Sequence, residues 1–415
     1  MDKLKCRGAV INQHKQPAYG NKILRLPPPP QLIVPLYNFE SGAMLPTARV
    51  GETVAKHAVL AHSKNKASVV IAPASGRLVA IERINHPIMG SVLAAFMRTD
   101  SRIPPVPPVP HNLSAMTAEG ILKAVRIANI IDETDGMPVY HKLLRAVEEK
   151  VLLLIADCID DTPYISSALK TVQDHGDLCA DGVSVVLKLL GGGKATLAFF
   201  NSGGIDTEEL LFKIGFMNTV ELTGGYPAWF SFKRHYANEK HIRLGVQALR
   251  SISLAVRDGI PQTEFMVTVG GDCVSTPTNV IASTGTTVGN LLHKVGLSST
   301  PRYIVLGDTM TGAAVTSLDT PVFPGIRGVT AMSGVQKVPT TACIGCGACS
   351  AVCPHMLFPS EANRMYEQGM TALAASYGAN RCVGCGACSA VCPSGIELSE
   401  IMLLLLEGER ARTAD

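Results

Sequence analysis

At 415 residues the chain exceeds what one ordinary hydrophobic core organises, so several domains are expected. Hydrophobic residues make up 47% and charged residues 17%, with a formal net charge of +3; this balance excludes a disordered chain and a generic nucleic-acid binder. No uncharged apolar run reaches bilayer-spanning length, and the opening "MDKLKCRGAVINQHKQ" lacks the apolar stretch of a secretory signal.

A cytoplasmic protein is therefore expected, or one peripheral on the cytoplasmic face of a membrane and attached only through a protein partner. Twelve cysteines in such a compartment are not expected to form disulfides.

Two proline tracts, Pro27–Pro30 and Pro104–Pro110, punctuate the chain, because proline can continue neither a helix nor a central strand. The stretch between them carries short β-branched runs broken at Gly51, Gly76 and Gly90 and reads as a β-rich module. From about Glu119 to Tyr236, helical stretches such as "MPVYHKLLRAVEEKV" alternate with apolar runs such as "VLLLIAD" and "ATLAFFNSGG", which predicts an α/β layer. Residues 243–330 read as strands and turns around one helix. The sequence "KLLGGGKAT" has the Gly-Lys step of a P-loop but lacks its first glycine and its hydroxyl residue, so a tight turn before a strand is expected. "VTVGGD" leads into more strand and not into a helix, so it is not a dinucleotide loop.

The last block writes one twelve-residue phrase twice. "CIGCGACSAVCP" (Cys343–Pro354) recurs as "CVGCGACSAVCP" (Cys382–Pro393), differing only at Ile344 and Val383. C-x₂-C-x₂-C-x₃-C-P is the bacterial ferredoxin run, in which three cysteines hold one cubane and the fourth ligates the other. This assigns one [4Fe–4S] cluster to Cys343, Cys346, Cys349 and Cys392, and a second to Cys382, Cys385, Cys388 and Cys353. Structural zinc would use two C-x₂-C pairs and leave a third close cysteine in each copy unexplained. Cys6, Cys158, Cys179 and Cys273 follow no ligand spacing and are expected in the core.

This order of blocks resembles the RnfC family, the cytoplasmic iron–sulfur subunit of the Rnf electron-transport complex, from about Pro27 to Leu405. Four places carry the resemblance: "VGETVAKHAVLA" with "VIAPASGRLVAI"; "RDGIPQTEFMVTVGGDCVSTPTNVIASTGTTVGNLL"; "YIVLGDTMTGAAVTSLDTPV"; and the doubled cysteine phrase with "PHMLFP" between its copies. The resemblance implies an α+β multidomain protein. Its parts are a barrel-sandwich hybrid at 1–102, a proline-rich linker at 103–118 and an α/β domain at 119–242 like the flavin- and NADH-binding subunit of complex I. An SLBB-type β-grasp domain follows at 243–330, then a helical dicluster ferredoxin domain at 331–405 and a tail at 406–415.

The second block departs from the family pattern. Where the family has a glycine-rich flavin loop, this chain reads "IANIIDETDGMPVYHKL". Ile130, Gly136, Pro138, His141, Lys142 and Leu143 keep the register, but Asp132, Glu133, Thr134 and Asp135 fill the loop. The second flavin motif reads "ADCIDDTPYI", keeping Pro163 and Tyr164 but with Asp160, Asp161 and Thr162 substituted. The third reads "GGYPAWF", with Ala228 and Trp229 in place of Gln-Gly. Carboxylates repel a phosphate that glycine amides would cradle, so FMN is not expected to bind. A cation site built from Asp132, Glu133, Asp135, Asp157, Asp160 and Asp161, or a solvated acidic face, are the other readings of these residues.

The expected function is single-electron relay through two clusters, with ferredoxin, flavodoxin, Rnf-like subunits or a partner reductase as redox partners and no nucleic acid. An FMN-dependent NADH oxidoreductase and a docking subunit of a redox complex are the alternatives.

Overall fold

A computed structural model describes residues 1–203, 214–215, 217–334 and 338–414, with the side chains of 412–414 excepted. Its β-rich module is built from two small sheets and a two-stranded hairpin, Tyr37–Asn38 with Gly42–Ala43. One has four strands in the order Gln31–Pro35, Gly90–Thr99, Gly76–His86 and Thr53–Val54; the other joins Leu45–Pro46, Val59–His62 and Val69–Ile71. Leu32, Val34, Met44, Leu60, Leu78 and Met97 fill the space between them. A register shift between Leu78 and Ala80 bends the long hairpin strand there and leaves Val79 exposed.

The α/β layer is a five-stranded, all-parallel sheet. Its order is Asp2–Cys6, Asn218–Gly224, Lys194–Phe200, Leu153–Cys158 and His241–Gly245. All six residues of Leu153–Cys158 are buried, as a central parallel strand covered on both faces requires. Leu143, Val172, Val183, Leu249 and Ile252 cover one face; Ile155, Phe200, Leu222 and Phe232 build the core on the other. The helix Ser167–Leu189 packs against Val246–Arg257 at Gly182, where a Cβ would sit 2.0 Å from the carbonyl oxygen of Leu249. The "GGGK" stretch is a turn leading into Lys194–Phe200, with Gly191, Gly192 and Gly193 all at positive φ.

Two short N-terminal strands leave the sandwich. Asp2–Cys6 pairs with Asn218–Gly224 of the parallel sheet, and Leu24–Arg25 adds an edge to the third sheet. The opening 26 residues, grouped by sequence with the first domain, therefore pair in space with the second and third, because Cys6 has its apolar partners in the parallel layer.

The third unit is a six-stranded mixed sheet. Its central strands Gly328–Met332, Glu264–Gly270 and Thr278–Ser283 carry the helix Val288–Val295 through Val267, Val280, Leu291 and Leu292. The cysteine-bearing block is helical among the described residues, with Ala348–Val352, Pro359–Glu367, Thr371–Ser376, Ala387–Ala390 and Leu398–Ala414.

Candidate metal centre and the crevice beside it

The two cysteine phrases fold alike because their glycines do. Gly345 and Gly347 in the first, and Gly384 and Gly386 in the second, all lie in the left-handed region, at φ 68°, 72°, 64° and 77°. Each pair turns the chain back on itself before a short helix, so the cysteines of each phrase sit on one tight turn. A Cβ at Gly345 or Gly347 would meet nothing within 4 Å, so it is the left-handed backbone and not crowding that calls for glycine there.

Cys353 leaves its own loop. It lines a small cavity together with Cys382, Cys385 and Cys388, closed by Leu357 and Met402. Burial pushes the Cys385 and Cys388 thiols up to about 11 and about 12, and the neighbouring cysteines, Cys353 among them, add to the rise. Such a crowd of thiolates is stable only around strong positive charge, and an iron–sulfur core supplies it. Cys349 packs with Ile396 and Leu398, against which Cys388 and Cys392 also lie; Cys343 and Cys346 face solvent. Backbone N–H groups already point at two sulfurs: Leu357 N donates to Cys353 Sγ at 3.4 Å and Gly384 N to Cys382 Sγ at 3.5 Å. The residues fit two cubanes. Cys6, Cys158, Cys179 and Cys273 are all buried.

The parallel sheet has a switch point between Leu153–Cys158 and His241–Gly245, since the chain goes outward from the first strand and returns on its other side. The crevice at the carboxyl ends of such strands is where open α/β sheets take ligands. Here the protein's own carboxylates fill it. Glu133 accepts the N–H groups of Gln247 at 2.7 Å and Ala248 at 3.0 Å, at the N-terminus of Val246–Arg257. Asp132 accepts Gly245 N at 3.1 Å, and a Cβ on Gly245 would lie 2.2 Å from the Glu133 carboxyl. Asp160 accepts Leu169 N at 2.9 Å and Asp161 accepts Ala228 N at 2.6 Å, at the starts of two more helices. Three helix N-termini thus hold internal carboxylates where an anionic ligand would otherwise be favoured.

Buried cations balance them. Lys142 bridges Asp132 and Asp135, Arg243 holds Asp157 at 2.6 Å, and Arg327 pairs with Asp160. Burial and the charge of Asp132 push Glu133 up to about 8, while Lys142 holds Asp132 below the usual range against its own burial. Burial also raises Asp161. The N-terminal segment lies across the same crevice. Gln13 donates to the Asp161 carbonyl and accepts Tyr164 N, Lys15 donates to the Asp160 carbonyl, and His14 stacks on Tyr164 with ring centroids 5.2 Å apart. Burial lowers Lys15 to about 8 against the pull of Asp160 and Asp161.

Both other readings of the acidic residues are corrected by this arrangement. Asp132, Glu133, Asp157, Asp160 and Asp161 are buried, so they form no solvated face; only Asp135 is exposed. Their oxygens are engaged by N–H groups and cations, and among the described residues no three such side chains close on a single-ion site. Gly136 sits beneath Phe39 at the sandwich border.

The crevice also touches the cysteine loops. Tyr226, from the "GGYPAWF" loop, donates its hydroxyl to the Cys385 carbonyl at 2.8 Å. Arg7 Nε donates to the Ala351 carbonyl at 2.6 Å, and Arg234 to that of Pro354. Sequence reasoning did not single out Lys15, Arg327, Arg243, Arg7 or Arg234, because nothing local marks them.

Fold and site define a multidomain iron–sulfur protein with two [4Fe–4S] clusters, built for electron transfer. Residues 342–396 match the 4Fe–4S dicluster domain, and residues 5–102 match the RnfC barrel sandwich hybrid domain. The chain is 25% identical over 377 residues to a subunit of the proton-translocating ferredoxin:NAD(+) oxidoreductase complex of Clostridium ljungdahlii, covering 85% of this chain and 82% of that one. It is 27% identical over 412 residues to a subunit of the ion-translocating oxidoreductase complex of Rhodobacter capsulatus, covering 90% and 77%. A chain of an air-oxidised NAD+-reducing [NiFe]-hydrogenase overlaps 75% of this one, and 73% of its own length, with a TM-score of 0.49 and 12% identity. These matches support a likeness to the RnfC family at both ends of the chain and along most of its length. No helix among the described residues is long and apolar enough to cross a membrane.

Proposed function

We propose that this protein relays single electrons through two [4Fe–4S] clusters as a subunit of a redox complex, without a flavin or NADH site of its own. We assign the first cluster to Cys343, Cys346, Cys349 and Cys392 and the second to Cys382, Cys385, Cys388 and Cys353. The observation that carries the relay is the doubled cysteine loop within a dicluster domain. The shared cavity of Cys353 with Cys382, Cys385 and Cys388 supports the crossed pairing. The relatives' names, as members of ion-translocating and ferredoxin:NAD(+) oxidoreductase complexes, support the place in a complex.

When bound, each cluster supplies a one-electron redox centre; the chain's residues set its burial and the hydrogen bonds to its sulfurs. No bond-making side chain is required. The absence of flavin rests on the crevice. A flavin phosphate would need the N–H groups of Gly245, Gln247 and Ala248, and these already donate to Asp132 and Glu133. It would also have to displace carboxylates already paired with buried cations, Asp132 with Lys142 and Asp160 with Arg327.

We read the parallel layer as a complex-I-like scaffold whose ligand crevice has become a packed joint, and the 264–332 sheet as an SLBB-type β-grasp. The borders at 103–118, 242 and 330 divide these units. Calorimetry with FMN and NADH tests the reading: no measurable binding is expected, and micromolar binding of either would replace it with the flavin-dependent oxidoreductase.

A further inference from the structure

We propose that the surface over Cys353 and Cys382 is the docking face for a small acidic electron-carrier protein, held by a basic rim of Lys233, Arg234 and Arg381. The proposal rests on the two-cluster reading above and names its partner.

Residues 353–359 divide between two sides. Cys353, Leu357 and Pro359 line the cavity that holds the second set of cysteines, while Met356 and Phe358 turn outward, 57% and 55% exposed. Val383, the residue after Cys382, is 43% exposed on the same loop pair. An exposed apolar centre beside the buried Cys353 and the half-buried Cys382 is unusual for a solvated surface, and it suits a partner that must approach a redox centre closely.

The rim is of one sign. Lys233, Arg234 and Arg381 are exposed; Lys233 precedes Arg234 on the helix Ala228–His235, and Arg381 lies beside Gly378 next to Leu357, where a Cβ on that glycine would meet both side chains. Arg234 is also anchored on the Pro354 carbonyl, next to Cys353. Glu361, on the helix that follows Phe358, is paired with Arg364 at 2.6 Å. The chain as a whole carries only +3, so this concentration of cations is local. A cationic ring around an apolar centre steers and orients an acidic partner, and such encounters are fast and salt-sensitive. In the transfer, one electron leaves the carrier's reduced iron–sulfur centre and enters the cluster behind Cys353. The carrier is oxidised by one electron as the cluster is reduced by one, with no bond or proton moved.

The test is stopped-flow reduction of the anaerobic holoprotein by a reduced acidic ferredoxin. The bimolecular rate constant should fall steeply as salt rises from roughly 0.05 to 0.5 M, across the range where screening takes hold. Lys233→Glu with Arg381→Glu should lower it about tenfold or more at low salt. The same charge reversal at Lys64 and Lys66, exposed on the distant sandwich, should leave it unchanged. Iron content and reduction by dithionite check that the clusters are intact; if the double variant loses iron, the salt dependence of the natural chain decides. A flat salt dependence, no slowing in the reversed variant, or equal slowing from Lys64 and Lys66 would overturn the proposal. Pelleting with anionic vesicles that the same reversal abolishes would overturn it too, by assigning the face to a lipid surface. Clusters that dithionite cannot reduce would sink the two-cluster reading instead, which keeps the two failures apart.

Discussion

The cysteine loops and the crevice of the parallel sheet are both places where backbone N–H groups and glycines can gather around a cofactor, and they have gone opposite ways. In the cysteine block four left-handed glycines shape the two loops, and Cys353, Cys382, Cys385 and Cys388 line one small cavity. In the crevice, the loop that begins at Asp132 supplies carboxylates, which reach the helix N-termini themselves. The difference teaches that one kind of scaffold can present its helix N-termini to a ligand or to its own carboxylates. Where internal carboxylates take the helix ends and buried cations balance them, the crevice is a packed joint.

The largest expected effect breaks the open side of the comparison. Cys392→Ala should remove the cluster held by Cys343, Cys346 and Cys349 and halve the iron from about eight atoms per chain. Paramagnetic resonance checks it: loss of the other cluster in this variant would show the pairing to be wrong.

On the filled side, Arg327→Met leaves Asp160 buried without its ion pair. Breaking a buried pair costs about 3–5 kcal/mol, so denaturant unfolding of the α/β layer should shift by that order. A change below about 1 kcal/mol would mean that water reaches Asp160.

Glu133→Gln sharpens the electrostatics. The folded pKa of Glu133, about 8, lies above its unfolded value near 4.5. Its contribution is therefore fully present below about pH 4.5 and is lost as pH rises through about 8. Relative to the variant, the natural chain should lose stability across that window, on the order of a few kcal/mol. Parallel pH profiles of the two proteins would contradict the burial of a strained carboxyl there.

The smallest effect is at the link between the two regions. Tyr226→Phe removes the hydrogen bond to the Cys385 carbonyl and should cost about 1 kcal/mol, with a measurable shift in the potential of the second cluster alone. An equal shift in both clusters would deny that the link is local.

Much of this was legible in the sequence. The doubled cysteine spacing identified the dicluster block, and the alternation from Glu119 to Tyr236 pointed to an α/β layer. The acidic substitutions at Asp132, Glu133, Asp160 and Asp161 were visible, but their fate was not. Charge runs usually face water, and only the fold brings Arg327 onto Asp160 across 167 positions and Lys15 across 145. The membership of Asp2–Cys6 in the parallel sheet was hidden for the same reason: a short edge strand has no periodicity of its own to declare its partner.

The central claim is that the clusters remain while the flavin site has become structure. Iron, sulfide and flavin per chain, measured on anaerobically purified protein and followed by titration with NADH, test it most directly. The account predicts about eight iron atoms, no flavin, no bleaching of the cluster absorbance by NADH and full bleaching by dithionite. Stoichiometric FMN with NADH-driven bleaching would contradict it.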